Sequence, residues 1–406
     1  MRVSQVCNSF TRNPQPVHPQ LTTMPNFPKV GILGAGQLGK MLCQAASPWE
    51  LPIYCMDQSI DFPAGPYCKG FAEGDFKKYE DVLAFGREMD IITIEIEHVN
   101  TEALLALEKE EKTVHPSPKA LATIKDKGLQ KQFYTTHQIP TSPFQLLDNK
   151  KAILEAILDR RLALPFVQKT RTAGYDGKGV AVIRNQEDLT NKLLDGPSMV
   201  EEMVEIEKEL AVIVARNAQG EVKAFDPVEM EFNPVANLVE FLVCPAAITA
   251  QQAQQLTDLA KKIIIAFDIC GLLAVEFFLN KSGDILVNEV APRPHNSGHH
   301  TIDSAITSQY EQHLRGVLNL PLGSTKAVQP AVMVNLLGHP NYTGPVQYEG
   351  LAECLQLEGV KVHIYGKAMT KPYRKMGHVT VVADTIEGAK EKARLVKENL
   401  KVISNQ

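Results

Sequence analysis

Two runs in the second half of the chain carry a carboxylate where a strand would ordinarily carry another hydrophobe: Leu272-Leu273-Ala274-Val275-Glu276-Phe277-Phe278 and Ile285-Leu286-Val287-Asn288-Glu289-Val290. Asn280-Lys281-Ser282-Gly283-Asp284, between them, has the composition of a hairpin turn. Folded as a hairpin, the runs set Glu276 and Glu289 on neighbouring strands, where two like charges repel unless a cation lies between them. Hard oxygen ligands in low number, with Asn288 beside them, suit magnesium carried on nucleotide phosphates. A pair of edge carboxylates salt-bridged to lysines is the structural alternative, and the pair by itself leaves both readings open.

Other stretches have the makings of binding loops. Gly34-Ala35-Gly36-Gln37-Leu38-Gly39 follows a strand-like run, residues 29–33, and Asp57 ends the next such run. This is the spacing of a dinucleotide fingerprint, whose glycines let the backbone approach an anion at a helix N-terminus. The same geometry holds a sugar phosphate, and a plain tight turn has the same glycines. Thr172-Ala173-Gly174-Tyr175-Asp176-Gly177-Lys178-Gly179 joins two strands and lacks the ending of a Walker loop, so it is expected as a flap whose N–H groups fold over phosphates. Lys169, just ahead of it, adds a point charge; a mobile hairpin is the plainer reading.

Val200-Glu201-Glu202-Met203-Val204 offers a strand edge to a base and Glu209 offers a carboxylate to ribose hydroxyls, although residues 205–209 on their own are a charged surface run. In Ala291-Pro292-Arg293-Pro294-His295-Asn296-Ser297-Gly298-His299-His300 the histidines invite a zinc assignment. The prolines and glycine forbid the regular helix that an i,i+4 ligand pair needs, which favours a loop presenting Arg293 and His295 to an anionic substrate. Arg374-Lys375-Met376-Gly377-His378 is a small basic corner that gains meaning only in company.

These stretches need a scaffold. At 406 residues the chain is long enough for two or three domains. It is 44% hydrophobic and 22% charged with a formal net charge of -5, a soluble globular composition without the basic cluster that nucleic acid requires. Charges or prolines break the apolar runs before membrane-spanning length. Seven scattered cysteines without a C-x-x-C pair predict neither a disulfide framework nor a zinc site, and a reducing cytoplasm. Residues 1–23 are rich in Pro, Gln, Ser and Asn and are expected to be a disordered extension, with Met24 as the working start. Repeated strand–turn–helix units up to residue 118 predict a parallel doubly wound sheet. A helix over 119–137 leads into a mixed block with strands at 165–169 and 179–183 and helices at 149–159 and 186–194. Antiparallel strands follow through residue 231, then a helix opened by the capping box of Thr249 and Gln252, and a last strand-rich segment with a helix over 385–400.

Together these blocks resemble the ATP-grasp superfamily and, within it, the 5-(carboxyamino)imidazole ribonucleotide synthase family. GILGAGQLG, GYDGKG, AVEFF with the later NE, APRPHNSGHH and KMGHVT carry the resemblance, which covers all but the N-terminal extension. It implies an α/β fold, α+β in the grasp region: a Rossmann-like parallel-sheet domain over 27–122, an ATP-grasp domain over 123–320 and a small C-terminal domain over 321–406, behind a disordered 1–26. It also implies a ligase of purine biosynthesis that spends ATP on bicarbonate, forms carboxyphosphate and carboxylates the amine of 5-aminoimidazole ribonucleotide.

Carried over by position, Lys127 and Lys169 contact ATP phosphates and Gly174, Tyr175, Asp176, Gly177, Lys178 and Gly179 form the flap. Glu201, Glu202, Met203 and Val204 line the adenine and Glu209 binds the ribose. Glu276 and Glu289 hold Mg²⁺, or Mn²⁺ in its place, with Asn288 beside them. Asp176, Arg293 and His295 are the expected catalytic groups. Gly36, Gln37, Leu38, Glu97, Lys367, Arg374 and Lys375 are expected to bind the ribonucleotide, so that the glycine loop serves substrate rather than NAD. The implied partners are small molecules, a second copy of the chain in a homodimer, and the mutase of the same pathway as recipient of the product. Asn233, His98 and His300 depart from common residues of the family. Rival readings are a formate-dependent glycinamide ribonucleotide transformylase, an NAD-dependent dehydrogenase built on the glycine loop, and an inactive nucleotide-binding protein.

Overall fold

Short strands, the two central ones buried along their whole length, alternate with amphipathic helices in the first described unit, as a sheet covered on both faces requires. The computed structural model describes residues 27–172, 179–232 and 238–404. The expectations for 1–26, for Gly174 to Lys178 and for Asn233 lie outside the described residues. In the first unit β1 (Val30–Leu33), α1 (Gln37–Ala46), β2 (Ile53–Asp57), β3 (Gly70–Glu73), α2 (Tyr79–Arg87), β4 (Ile91–Ile94), α3 (Thr101–Lys109) and β5 (Thr113–Val114) follow one another. The strands are parallel in the order β3-β2-β1-β4-β5, the doubly wound arrangement expected. α1 starts at Gln37, directly after the extended Gly36, so the helix opens on the glycine loop.

The single helix expected over 119–137 is two helices, α4 (Pro118–Lys125) and α5 (Lys127–Thr136), broken at Asp126. Asp126 and Gly128 weaken the helix here, and local capping and a tertiary ion pair together fix the break. Asp126 is extended and its carboxylate caps α5, accepting from Gly128 N at 2.8 Å and Leu129 N at 3.1 Å. Arg171 holds the same carboxylate through two hydrogen bonds of 2.9 and 2.6 Å. The break makes Lys127 the first residue of α5.

A small antiparallel sheet follows, built from β6 (Phe144–Leu147), α6 (Lys150–Leu158), β7 (Phe166–Thr170), β8 (Val180–Ile183), α7 (Gln186–Asn191) and β9 (Ser198–Glu202), with strand order β6-β9-β7-β8. α7 stops short of residue 194 because the Gln168 amide takes both the N–H and the C=O of Leu194, at 2.9 and 2.8 Å.

The larger sheet begins with β10 (Ile206–Arg216), β11 (Val222–Ala224), β12 (Val228–Phe232) and β13 (Val239–Cys244). β11 and β12 are separated at Asp226-Pro227, where proline removes a ladder donor. After α8 (Ala250–Ala266), whose Thr249 capping box is formed as expected, come β14 (Gly271–Asn280) and β15 (Ile285–Ala291). α9 (Thr301–Ser304) and α10 (Gln309–Val317) lead to β16 (Ala331–Leu337), β17 (Gly344–Glu349), α11 (Leu351–Leu355), β18 (Val360–Ile364), β19 (Met369–Thr370), β20 (Lys375–Val382), α12 (Ile386–Asn399) and β21 (Lys401–Ser404). The sheet order β15-β14-β10-β12-β13-β16-β20-β18 shows that the C-terminal segment extends the central sheet through β13 and β16.

Packing then aims the functional residues. The buried stripe of α8, Leu256, Ala260, Ile263 and Ile264, packs on Val275, Phe277 and Val287. Strand alternation therefore turns Glu276, Phe278 and Asn288 to the opposite face. α10 buries Tyr310, Leu314 and Val317 in the same cluster as Leu38, Met41 and Leu42 of α1, together with Tyr365 of the C-terminal segment, so the glycine loop is tied to both other units. Among the described residues no helix is long and apolar enough to cross a membrane.

Replacing the cap at the α4–α5 break tests its role. Asp126→Ala should cost about 1–2 kcal/mol locally. Hydrogen exchange should read this as roughly 5- to 30-fold faster exchange in the first turn of α5. Unchanged protection there would mean that Asp126 does not hold the break.

Candidate active site

The hairpin register supplies the centre of the site. Val275 pairs with Val290 and Phe277 with Val287, so Glu276 alone faces two residues, Asn288 and Glu289, across a β-bulge. The extra residue breaks the alternation of β15: Val287 and Val290 are buried while Asn288 and Glu289 between them are both partly open. A bulge re-aims side chains in this way, and here it gives Glu276, Asn288 and Glu289 one face.

Cations are set against that face from two other elements. Lys127 Nζ, at the start of α5, lies 2.6 Å from Glu289 Oε2. Lys169 Nζ, on β7, donates to Asn288 Oδ1 at 3.0 Å and pairs with Glu201 Oε1 at 2.5 Å. The other oxygen of Glu201 pairs with Lys131 Nζ at 2.9 Å; Lys131 also donates at 2.5 Å to Thr141 Oγ1, which in turn donates to the Val287 carbonyl at 2.7 Å. Glu201 and Lys131 are almost wholly buried, with 3% and 1% of their surface exposed. Glu201 therefore acts inside the protein, as the brace that positions Lys169. Sequence reasoning placed Glu201 at the adenine and missed Lys131 and Thr141.

The charges shape one another's protonation. Burial, and then the negative charges of Glu289 and Glu209, push the Glu276 carboxyl up to about 8. Burial acts in the same sense on Glu289, but the Lys127 ammonium outweighs it and holds that carboxyl down at about 2. Burial also raises Glu209, to about 7, with Lys169 opposing it. Glu209 stands on β10 opposite Phe278, two pairs along from the Ala211–Glu276 pair and so on the same face.

Around this centre the remaining expected residues divide. Arg293 Nε lies 2.8 Å from Glu97 Oε1, and His295 Nε2 lies 3.7 Å from Glu276 Oε1 while its Nδ1 is 2.9 Å from Ser297 Oγ. His295 therefore joins the carboxylate cluster, while Arg293 is held by Glu97. Lys367 Nζ donates to the Lys375 carbonyl at 2.7 Å, Arg374 donates to the Met369 carbonyl at 2.6 Å, and Lys375 lies within the field of Glu276. Glu202, Met203 and Val204 line a cavity of about 900 Å³ whose far wall is the β14–β15 turn and α8. None of Lys127, Lys169, Glu276 or Glu289 is part of that lining. Gly179 closes the β7–β8 hairpin, its carbonyl accepting from Thr170 N at 2.9 Å. His299 and His300 are buried, bonded to Tyr310 OH and Ser304 Oγ respectively, each at 2.9 Å.

The glycine loop is the chief surprise. The N–H groups of Gly36 and Gly39 donate to the two oxygens of Glu95, and Asp57 accepts from Ala35 N and Gln58 N, both at 2.8 Å. A Cβ at Gly34 or Gly36 would collide with the Glu95 side chain, and at Gly39 it would come within 3.2 Å of Glu95 Oε2. The glycines thus make room for the chain's own carboxylate. A dinucleotide fingerprint keeps these amides for a pyrophosphate and this acid for a ribose; here the protein fills both. Of the expected substrate residues in the loop, Gly36 has its amide occupied, Leu38 is buried in the core, and Gln37 keeps a partly open side chain.

Comparison with known proteins places this geometry. The ATP-grasp domain family matches residues 132–310, the ribonucleotide synthetase preATP-grasp domain 27–125, and the phosphoribosylaminoimidazole carboxylase C-terminal domain 331–392. The N5-carboxyaminoimidazole ribonucleotide synthase of Bacillus subtilis is 35% identical over 354 residues, 86% of this chain and 90% of that protein. The chain belongs to the N5-carboxyaminoimidazole ribonucleotide synthase family. The Thermotoga maritima synthetase structure aligns with a TM-score of 0.86 at 41% identity, covering 93% of this chain and all of that one. An Aspergillus clavatus synthase in complex with ADP and 5-aminoimidazole ribonucleotide aligns at 0.84 and 32%, covering 92% and 98%. The phosphoribosylaminoimidazole carboxylase of Vigna aconitifolia is 34% identical over 91% of this chain, which spans 66% of that longer protein. The chain likewise spans about two thirds of the fungal carboxylases it matches, 65% of that of Candida albicans.

The synthase fold so assembled has a pH signature. The folded chain keeps a proton on Glu276 up to about pH 8, whereas an ordinary carboxyl loses it near 4.5, so folding binds a proton across that window. Stability from this group is therefore lost as pH rises. Thermal midpoints of the ligand-free wild type and Glu276→Gln should coincide near the low end of the window and separate in favour of the variant above it. Parallel curves would show that Glu276 titrates as an ordinary surface acid.

Proposed function

We propose that the chain carboxylates the exocyclic amine of 5-aminoimidazole ribonucleotide using ATP and bicarbonate, releasing ADP and phosphate. The observation that carries the proposal is the bulged Glu276/Asn288/Glu289 face opposed by Lys127 and Lys169, which is suited to phosphoryl transfer by charge placement alone. The occupied glycine loop argues against the dehydrogenase reading, and the named complex of the Aspergillus clavatus relative supports the substrate.

In this scheme bicarbonate oxygen attacks the γ-phosphorus of ATP, the bond to the β-phosphate oxygen breaks, and ADP leaves carboxyphosphate. Carboxyphosphate splits to carbon dioxide and phosphate beside the amine, whose lone pair attacks the carbon and whose proton departs to the phosphate. Lys127 and Lys169 balance the phosphate charge, and Glu201 with Lys131 keeps Lys169 from swinging away. Arg293, fixed by Glu97, and His295, beside Glu276, face the anionic carboxyl donor; Asp176 completes the expected catalytic set. Lys367, Arg374 and Lys375 grasp the ribonucleotide phosphate, with Gln37 offered to its base.

Glu276 and Glu289, with Asn288, fit magnesium: among the described residues no cluster of three His, Cys, Asp or Glu side chains is arranged to hold a metal alone, and a carboxylate pair suits an ion completed by phosphate oxygens and water. Bound there, it would neutralise charge on the transferring phosphoryl group. The same reading includes a cytoplasmic homodimer that passes its product to the mutase of the pathway.

Purified protein with magnesium, ATP and bicarbonate should release ADP only slowly, and 5-aminoimidazole ribonucleotide should stimulate it. Replacement of bicarbonate by formate should abolish the stimulation, and stimulation by formate with glycinamide ribonucleotide would move the chain to the transformylase. Glu289→Gln should cut turnover at least about 100-fold. Lys375→Ala should raise the KM for the ribonucleotide about tenfold, as loss of a charge-assisted phosphate contact does, with little change for ATP. A rise confined to ATP would assign the basic corner to the nucleotide.

A further inference from the structure

His295 stands between the end of β15 and the short turn Asn296–Gly298, outside any strand or helix that would fix the direction of its side chain. The side chain of Gln309, the first residue of α10, grips it instead. Gln309 Oε1 accepts from His295 N at 2.9 Å, and Gln309 Nε2 donates to the His295 carbonyl at 2.8 Å. A backbone N–H can only donate and a carbonyl can only accept, so the two bonds admit one orientation of the amide against the backbone it holds. The second hydrogen on Nε2 has His299 Nδ1 3.1 Å away, and burial keeps that ring uncharged and able to accept.

The clamp is buried and set on a rigid base. Gln309 has no exposed surface. Its own N–H donates to Thr301 Oγ1 at 2.8 Å, and that hydroxyl donates to the Gly298 carbonyl at 2.6 Å. A Cβ on Gly298 would collide with the Gln309 amide, so this glycine leaves room for the clamp. Behind it, Tyr310, Leu314 and Val317 fix α10 in the core shared with α1. The imidazole is oriented locally: Nδ1 accepts from Ser297 N at 3.3 Å, which leaves Nε2 facing Glu276 Oε1 at 3.7 Å. Backbone and ring are thus held separately, the first by a residue 14 positions away.

We propose that Gln309 is the positioning residue of His295, holding the histidine backbone so that Nε2 meets the carboxylate face where the anionic carboxyl donor is bound. The proposal rests on the role given to His295 above. Wholly buried, Gln309 does not itself reach substrate. Without the amide, the His295 carbonyl keeps the N–H of Gly298 as a donor at 3.0 Å, whereas the His295 N–H loses Gln309 Oε1 and the backbone is released on that side. A reacting group misplaced by about 1 Å costs on the order of 100-fold in rate.

The test is a double-mutant cycle on ribonucleotide-stimulated ADP release. Gln309→Met keeps the length of the side chain and removes both bonds; it should lower kcat about 10- to 100-fold and leave the KM for ATP and for the ribonucleotide within about twofold. In a His295→Ala background the same substitution should lower kcat no further. Gly298→Ala, which keeps every group of the clamp but pushes the amide aside, should act in the same direction and be equally silent in that background; it decides the matter if Gln309→Met does not fold. A merely structural role predicts the same loss of kcat in both backgrounds, and that result would overturn the proposal alone. A wild type without stimulated ADP release would sink the carboxylation reading, and a His295→Ala variant as fast as wild type would sink the role of the histidine; each takes the proposal with it.

Discussion

One extra residue in β15 is the constraint on which the rest of the site depends. Without the bulge, regular alternation would send either Asn288 or Glu289 into the α8 core, where Val287 and Val290 now lie. With it, two carboxylates and an amide share one face, and the fold must then tolerate like charges close together in a poorly solvated cleft. Removing charge from water costs several kcal/mol per ion unless partners compensate. The partners come from two elements: Lys127 from the start of α5 and Lys169 from the small antiparallel sheet, with Glu201 of that sheet and Lys131 of α5 as the buried brace behind it. Even so the compensation is incomplete, since Glu276 retains its proton into the neutral range. A site left short of positive charge in this way is poised to accept a cation.

The N-terminal unit solves the opposite problem. A helix that opens on a glycine turn presents unpaired N–H groups and a partial positive charge. In a dinucleotide-binding protein the ligand satisfies them; here Glu95 does, with Asp57 doing the same one turn away. The loop is thereby fixed in the absence of any ligand, and its partly open Gln37 side chain is presented from a rigid base. Because Glu95 is followed two residues later by Glu97, the partner of Arg293, the same short segment connects the glycine loop to the loop that follows β15.

Much of this was legible in the sequence. The apolar runs marked β14 and β15, the composition of residues 280–284 marked the turn between them, and the glycine punctuation marked the turn before α1, whereas the bulge at Asn288-Glu289 was not read. The parts that were not legible are the long-range ones. The break at Asp126 has local signals, an N-cap aspartate followed by Gly128, but Arg171, which holds that carboxylate from 45 residues on, has none. Lys131 looks like any surface lysine of an amphipathic helix until β9 places Glu201 beneath it. The fingerprint glycines matched a cofactor pattern because they meet the same steric demand, close approach of an anion, and only the fold shows that the anion is a side chain. Glu201, one of the four residues expected to line the adenine, differs from Glu202, Met203 and Val204 in being buried and held between two lysines.

The central claim is that the bulged face is completed by a cation arriving with nucleotide phosphates. The most direct measurement is the number of protons released when ADP binds with Mg²⁺ at neutral pH, from titration calorimetry in two buffers of different protonation enthalpy. A metal that must displace the proton of Glu276 should release about one proton per site, and none in Glu276→Gln. The release should vanish above about pH 8, where that carboxyl is already ionised. ADP binding that is indifferent to Mg²⁺, with no proton released at any pH, would contradict the account.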